Sequence, residues 1–141
     1  MFGNSLFGKS LDIQQRILGV DSLRKEVIAD NIANVDTPQF KRKMVSFESE
    51  LNRALDSETA ESVPTNRTES RHFDFNERKD WRGVQSRIQV EYDTNYRNDK
   101  NNVDIEKEMG DEVKNTLHYQ ALTQAISGSF RRLRSVFSQA A

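Results

Sequence analysis

The ten residues NIANVDTPQF, at positions 31–40, set the organisation of this chain. Pro38 has no backbone N–H and disfavours the helical conformation at the residue before it, so a preceding helix must end near residues 34–36. The side-chain amides of Asn31 and Asn34, one helical turn apart, can bond to nearby backbone. The segment therefore predicts a defined exit from a helix rather than a frayed end.

The residues before this exit predict one long amphipathic helix over residues 10–34. Apolar side chains recur there at intervals of three and four, opposite a polar arc. They are Leu11, Ile13, Ile17, Leu18, Val20, Leu23, Val27, Ile28 and Ile32. An apolar arc this wide favours packing against several neighbours rather than one.

A second long helix is predicted to begin near residues 102–104. Asn101, Asn102 and Asp104 are suitable N-cap residues, with acidic residues such as Glu106 and Glu108 early in the helix and arginines late, as the helix dipole favours. The second half carries a seam typical of a coiled coil, formed by Tyr119, Leu122, Ile126, Phe130, Leu133 and Phe137. The first half carries another stripe, at four-residue spacing, formed by Ile105, Met109, Val113 and Leu117. The two halves are therefore expected to meet different neighbours.

Between the long helices, a short helix is predicted over residues 45–55, because Phe47, Leu51 and Leu55 recur at four-residue spacing. Residues 56–69 are mostly polar, with almost no apolar side chain, which is typical of a solvated loop. The first part of the middle segment is therefore expected to hold one short helix and a polar loop.

Polar and apolar residues alternate over residues 84–92, a period of two that indicates a β-strand. Three aromatic residues upstream, Phe73, Phe75 and Trp81, have two interpretations. They either supply a partner strand, which makes a small β-hairpin, or present an exposed aromatic anchor for a partner protein. A hairpin this small buries little surface by itself, so both interpretations stay open.

Length, composition and charge limit the core and the kinds of partner. A chain of 141 residues with 35% hydrophobic and 30% charged residues can form one domain with a modest core. A net charge of −1 leaves no uncompensated basic surface, so no nucleic-acid partner is expected. No apolar run approaches the roughly 20 residues that cross a bilayer, and residues 1–9 do not resemble a signal peptide. We expect neither a cleavable signal peptide nor direct membrane insertion.

Residue types that carry catalysis are scarce. The absence of cysteine excludes disulfides, thiolate metal sites and thiol catalysis. His72 and His118 lie in different predicted elements without metal-ligand spacing, and no glycine-rich phosphate-binding loop occurs. We therefore expect no enzyme, no catalytic residue, no cofactor and no metal site, and we expect each histidine to be solvated or hydrogen-bonded.

The helix exit resembles the signature near the N-terminus of the axial proteins of the bacterial flagellum, the rod and hook family. The matching residues of this family motif are Asn31, Ile32, Ala33, Asn34, Thr37, Pro38, Phe40 and Lys41. The resemblance extends towards a proximal rod protein through residues 22–29, Phe47, Leu51, residues 101–104, Glu108, Met109 and residues 119–122. Gln39 and Lys100 depart from the pattern, because Gly, which adopts positive φ most readily, is expected at both positions.

The resemblance implies a mainly α fold. Residues 1–36 and 101–141 are expected to form an antiparallel, coiled-coil-like inner domain, with residues 37–100 holding a turn, a short helix, a loop and a small β region. It also implies a structural subunit of the proximal rod, a helical tube that surrounds the export channel and transmits torque from the motor to the hook in flagellum-dependent motility. Such a subunit is a type III export substrate and assembles in the periplasm within the basal body.

The implied partners are further copies of the chain, the rod proteins FlgC, FlgF and FlgG, the FliE adaptor, the MS ring and the export gate. We expect the assembly interface to use apolar residues of both long helices, namely Ile17, Val20, Val27, Ile28, Tyr119, Leu122, Ile126, Phe130, Leu133 and Phe137. Two alternatives stay open. One is a FlgC-like sibling proximal rod protein, and the other is a helical adaptor or chaperone of flagellar export, which needs the same amphipathic helices but not the exit motif.

Overall fold

The computed structural model describes residues 5–60, 79–92 and 97–139 of the chain. Backbone contacts divide the chain into two compact units. The first unit combines Met1–Val45 with Gln89–Ala141, and the second is Ser46–Ile88. The fold is mainly helical, with long terminal helices that pack together, a short helix and a small antiparallel sheet, which confirms the predicted fold class.

Helix α1 spans Leu6–Ala33, close to the predicted residues 10–34. It begins where it does because the Ser5 hydroxyl accepts a hydrogen bond from the Gly8 backbone N–H at 3.1 Å, an N-cap. It ends with Asn34 as the C-cap, whose N–H still bonds to the Asp30 carbonyl at 3.2 Å. The predicted stop is confirmed.

Helix α3 spans Ile105–Gln139 and is 35 residues long. Asp104 caps it, since one carboxylate oxygen accepts from the Glu106 and Lys107 backbone N–H groups at 2.9 and 3.3 Å. α3 runs antiparallel to α1, because Asn31 near the end of α1 contacts Glu108, whereas Asp21 in the middle of α1 contacts Asn115. No helix among the described residues is long and apolar enough to cross a membrane.

The interface between α1 and α3 combines apolar and polar contacts. α1 contributes the buried apolar residues Val20, Val27 and Ile28 and the buried polar residues Asp21 and Asn31. The facing side of α3 follows a seven-residue repeat that is mostly polar, formed by the buried Glu108, Asn115 and Ser129 and the half-buried Leu122. The apolar stripe predicted in the first half of α3 does not face α1, and its four side chains are exposed. Polar contacts therefore carry much of the pairing between the two helices.

In the second unit, α2 spans Glu48–Thr59, three residues later at its start and four later at its end than predicted. The start is later because strand β1, Lys43–Ser46, occupies the preceding residues. The end is later because hydrogen bonding continues, with the Ala60 N–H bonded to the Asp56 carbonyl at 3.0 Å. The loop predicted over residues 56–69 was therefore wrong at its first four positions, and residues 61–69 lie outside the described part of the chain.

Trp81 corrects the sequence-based interpretation of the aromatic residues. It lies in a single 3₁₀ turn, Trp81–Gly83, and is only 1% exposed, so it is neither a strand residue nor an exposed anchor. The 3₁₀ turn contacts α2, and Phe47, Leu51 and Ala54 are buried in the same unit. The Arg82 guanidinium lies 4.5 Å from the centre of the indole ring, a cation–π contact.

Strand β2 spans Arg87–Val90 and pairs with β1 in a two-stranded antiparallel sheet. It is shorter than the predicted residues 84–92 at its start because Val84 still caps the 3₁₀ turn. The predicted small β structure is confirmed, and among the described residues its partner strand comes from before α2. Phe73 and Phe75 lie outside the described residues.

Candidate functional site

The family motif forms the first part of a buried polar network at the end of α1. Asn31 is fully buried, and its side-chain amide bonds to the backbone of Lys43 in both directions. Its Nδ2 donates to the Lys43 carbonyl at 2.8 Å, and its Oδ1 accepts from the Lys43 N–H at 2.9 Å. Asn31 thus acts towards β1 as the backbone of a neighbouring strand would. Its Nδ2 also donates to Glu108 of α3 at 3.1 Å, so one side chain joins three elements.

The exit turn is held by short-range bonds of the kind expected for Asn and Thr. The Asn34 Nδ2 donates to the Asp30 carbonyl at 2.8 Å, and the Thr37 hydroxyl donates to the Asn34 Oδ1 at 3.3 Å. The Thr37 N–H bonds to the Asn34 carbonyl at 3.0 Å, and the Phe40 N–H to the Thr37 carbonyl at 3.3 Å. Consecutive turns therefore carry the backbone from α1 to β1.

Asn101 clamps this turn from the segment that precedes α3. It is fully buried, and its Nδ2 lies within 3.0 Å of the carbonyl oxygens of Asn34 and Val35 and 2.9 Å from that of Thr37. An amide has two N–H donors, so at least one is shared between two carbonyls. The Oδ1 of Asn101 accepts from the Val103 N–H at 2.8 Å, which orders the residues just before α3. These hydrogen bonds therefore hold the end of α1 against the segment that precedes α3.

Arg42 and Asn102 form the other half of the network. The Asn102 amide accepts from the Arg42 N–H and donates to the Glu91 carbonyl, both at 2.7 Å. Each nitrogen of the Arg42 guanidinium donates to a different carboxylate: Nε to Glu108, one terminal nitrogen to Glu91 at 3.2 Å, and the other to Asp111 at 3.1 Å. We call Asn31, Arg42, Asn101, Asn102 and Glu108 the exit latch.

The charges within the exit latch compensate one another. Glu108 is fully buried and Arg42 nearly so, and an unpaired charge at either position would be costly. Burial lowers the pKa of the Arg42 guanidinium, but hydrogen bonds and charge from Glu108 and Glu91 outweigh burial and raise the pKa above its usual value. Arg42 therefore stays charged at any pH at which the protein works.

Two exposed residues beside the latch adopt left-handed backbone conformations, Gln39 with φ 62° and Lys100 with φ 63°. The Gln39 N–H bonds to the Asp99 carbonyl at 2.9 Å, and the Lys41 ammonium bonds to the Lys100 carbonyl at 2.8 Å. These are the two positions at which the family resemblance leads one to expect Gly. The backbone geometry that Gly suits is retained here with larger residues, which costs about 1–2 kcal/mol each.

The motif residues lie together in the exit. Asn31, Asn34, Thr37 and Lys41 make the polar contacts given above, and the Phe40 ring lies 5.3 Å from the Lys43 ammonium. The others lie around the same turn, with Ile32 half-buried and Ala33 and Pro38 exposed.

The residues expected at the assembly interface fall into three groups. Val20, Val27 and Ile28 are buried within the chain. Ile17, Leu122, Ile126 and Leu133 are half-buried. Tyr119, Phe130 and Phe137 are exposed, so they are the members of the set that a neighbouring molecule can reach most readily.

The sequence indicated Asn101 and Asn102 only as N-cap candidates and Glu108 only as an acidic residue near the start of α3, and it indicated no role for Arg42. A signal was present in α1, because Asn31 follows the buried Val27 and Ile28 at intervals of four and three and therefore lies on the apolar face. A polar residue on such a face needs a buried partner. Periodicity shows that a partner is required, but it does not identify a residue 70 or more positions away.

Nothing in the described part of the chain resembles a catalytic centre. No group of His, Asp or Glu there could hold a metal ion. His118 is hydrogen-bonded, with its Nδ1 2.7 Å from the buried carboxylate of Asp21, and His72 lies outside the described residues. The contacts described above join the end of α1 to β1 and to the start of α3.

Comparison of the sequence with known proteins shows to which family the chain belongs. A family model described as flagella basal body rod protein matches residues 22–41, which include the exit. The flagellar basal body rod protein FlgB of Borrelia hermsii is 38% identical over 94% of this chain and 98% of its own length. The chain belongs to the FlgB family. The FlgB proteins of Bacillus subtilis and Escherichia coli K12 are 34% and 28% identical, over 95% and 90% of this chain and 97% and 91% of their own lengths. The chain is thus a structural protein of the flagellar basal body rod.

Proposed function

We propose that this FlgB-family chain is a subunit of the proximal rod, that it assembles into a helical tube around the export channel, and that it transmits torque from the motor to the hook. The observation that carries the proposal is the exit latch. A subunit that transmits torque must hold its two long helices and its exit at a fixed angle under load. Buried polar contacts suit this purpose because a shifted packing would leave their donors and acceptors unsatisfied.

The surface of α3 supports assembly into a polymer. Phe130 and Phe137 on its second half are exposed, as is the apolar stripe on its first half. Large apolar surfaces that stay exposed within one chain mark sites of protein–protein contact. We infer that these surfaces, with the half-buried seam residues Leu122, Ile126 and Leu133, face neighbouring subunits.

The proposal extends to location and partners. The terminal segments, residues 1–36 and 101–141, form the inner layer of the tube. The subunit is exported by the flagellar type III apparatus without a cleavable signal peptide and joins the rod in the periplasm. Its neighbours there are FlgC, FlgF, FlgG and FliE, with the MS ring and the export gate at the base. Near-full-length similarity to FlgB proteins favours this role over that of the sibling FlgC.

Complementation of a strain lacking the gene tests the proposal. Asn101→Ala removes the clamp, and Asn98→Ala is a matched control because Asn98 is exposed. We expect Asn101→Ala to lower the number of completed rods seen by electron microscopy, with little loss of subunit export, and Asn98→Ala to leave both unchanged. A cryo-EM map of wild-type basal bodies should contain the chain in the proximal rod. Its absence there, with the protein confined to the cytoplasm, would favour an adaptor of export instead.

A further inference from the structure

Helix α3 exposes two distinct surfaces. The first, which we call the amino-terminal stripe, consists of Ile105, Met109, Val113 and Leu117, whose exposed fractions are 44%, 57%, 60% and 60%. Residues at four-residue spacing form a continuous ridge on a helix, and such ridges pack into the grooves of other helices. α1 lies on a different side of α3, which leaves the ridge uncovered within the described residues.

The second surface, which we call the carboxyl-terminal patch, consists of Phe130, Arg131, Arg134 and Phe137. The two phenylalanines are 53% and 62% exposed, and both arginines are exposed. Arg134 follows Phe130 by four residues and precedes Phe137 by three, so the three side chains share one face of the helix. The patch therefore combines apolar surface with positive charge.

The two halves of α3 carry opposite charge. Residues 105–117 contain four acidic and two basic residues, a net charge of −2, whereas residues 118–139 contain three arginines and no acidic residue, a net charge of +3. Two of the acidic residues, Glu108 and Asp111, bond to Arg42. The other two, Glu106 and Glu112, are exposed and lie three residues on either side of Met109. The amino-terminal stripe is therefore bordered by negative charge.

The two surfaces are separated along α3 and carry opposite charge. At 100° and 1.5 Å per residue, their centres lie about 50° apart around the helix and about 33 Å apart along it. Because like charges repel, each surface suits the other better than a second copy of itself. A closed antiparallel pair of α3 helices would bring stripe and patch together twice but would end growth at a dimer, which the proposed rod excludes.

We propose that the amino-terminal stripe of one copy binds the carboxyl-terminal patch of a second copy of this chain. The contact joins unlike surfaces, so each copy has one free surface of each kind after binding, and the arrangement extends head to tail without closing. Apolar packing and opposite charge act at the same contact. The inference rests on the proposed assembly into a rod and specifies which residues make one of its repeated contacts.

Introduced cysteines test the contact, because the natural sequence contains none. Chains carrying Val113→Cys together with Phe130→Cys or Phe137→Cys should form a ladder of disulfide-linked multimers when basal bodies from motile cells are oxidised. A bond within one chain is excluded, since these positions lie about 25 Å or more apart on one helix, far beyond the roughly 4 Å that separates bonded Cβ atoms. Cells that express the two single-cysteine chains together should yield heterodimers and nothing longer.

The control chain pairs Val113→Cys with Arg132→Cys, because Arg132 is exposed on α3 but bonds to Ser129 on the side of the helix that faces α1. It should give no ladder. Reversing the charge of the stripe with Glu106→Arg and Glu112→Arg should lower the cross-linking yield about tenfold or more. Adding Arg131→Glu and Arg134→Glu to the same chain should restore the yield.

Three results would overturn the proposal. Dimers from Val113→Cys alone would show a symmetric contact between two stripes. A basal body that contains the chain but yields no multimer from either double-cysteine pair would mean that another component covers the stripe, and the rod function would stand. Absence of the chain from basal bodies would overturn the rod function and this contact together.

Discussion

Replacing Gln39 or Lys100 by Gly should make the protein more stable. Both residues have a positive φ, which L-residues with a side chain adopt at a cost. Both side chains are exposed, and the hydrogen bonds at these positions use backbone atoms that Gly also has. The substitutions therefore remove strain without removing a hydrogen bond of the folded state.

The size of the effect follows from two opposing terms. Relief of the left-handed conformation contributes about 1–2 kcal/mol per residue. The greater freedom of Gly in the unfolded chain costs about 0.4–1 kcal/mol. We expect a net gain of about 0.5–1 kcal/mol for each variant, which raises the Tm by about 2–4 °C for a chain of this size. The Gln39 N–H bonds to Asp99, the neighbour of Lys100, so the two gains need not add.

Urea unfolding followed by far-ultraviolet circular dichroism measures this change, because the signal comes mainly from α1 and α3. The midpoint should rise without a change in slope. Asn98→Gly is the control, since Asn98 is exposed and does not have a positive φ, and it should lower stability by about 0.4–1 kcal/mol. A loss of stability in Gln39→Gly and Lys100→Gly equal to that in the control would refute the strain argument.

Three further predictions concern the latch and the seam. Asn101→Ala should lower the free energy of unfolding by about 2 kcal/mol, because three carbonyls lose their donor; an unchanged urea midpoint would mean that water replaces the amide. Glu108→Ala should lower the free energy of unfolding by about 3 kcal/mol, because it leaves Arg42 partly unpaired. Glu108→Gln keeps a hydrogen-bonding oxygen and should lower the free energy of unfolding by less, as measured by the same urea unfolding experiment. Equal losses for the two variants would contradict this explanation. Ile126→Asp should reduce both helicity and rod assembly, because Ile126 is half-buried. Phe130→Asp changes an exposed position, so it should abolish rod assembly while the circular dichroism spectrum stays normal. Normal motility in either strain would show that the seam does not take part in assembly.

Local signals predicted the elements because their causes are local. The spacing of Val20, Val27 and Ile28 marks the buried face of α1, Pro38 limits where α1 can end, and Asp104 supplies the cap of α3. Each of these effects acts within about one helical turn. The predicted end of α1 and the predicted start of α3 therefore lie within one residue of those in the structure, whereas the start of α1 and both ends of α2 differ by three or four residues.

The exit latch depends on partners that are distant in sequence. Asn31 and Glu108 are separated by 77 positions, and Asn101 bonds to three carbonyls more than 60 positions away. Hydrophobic periodicity also did not identify which side of the first half of α3 faces α1. It marks the most apolar side, whereas the side that α1 covers holds Glu108 and Asn115. Polar pairing across an interface leaves no periodic pattern of apolar residues to detect.

The polar face of α3 has a consequence for the register of the helix pair. In a seam made only of apolar residues, a slip by one seven-residue repeat, about 10.5 Å, exchanges similar contacts and costs little. Here the same slip would separate Asn31 from Glu108 and Asp21 from Asn115 and His118. Each buried group left without a partner costs about 1–3 kcal/mol, and more where it is charged. Several such losses approach the whole stability of a typical domain, about 5–15 kcal/mol, so the pair has one register. In every copy the amino-terminal stripe and the carboxyl-terminal patch of α3 then lie at the same distance along the helix axis from the exit of α1. A repeating assembly requires this constancy.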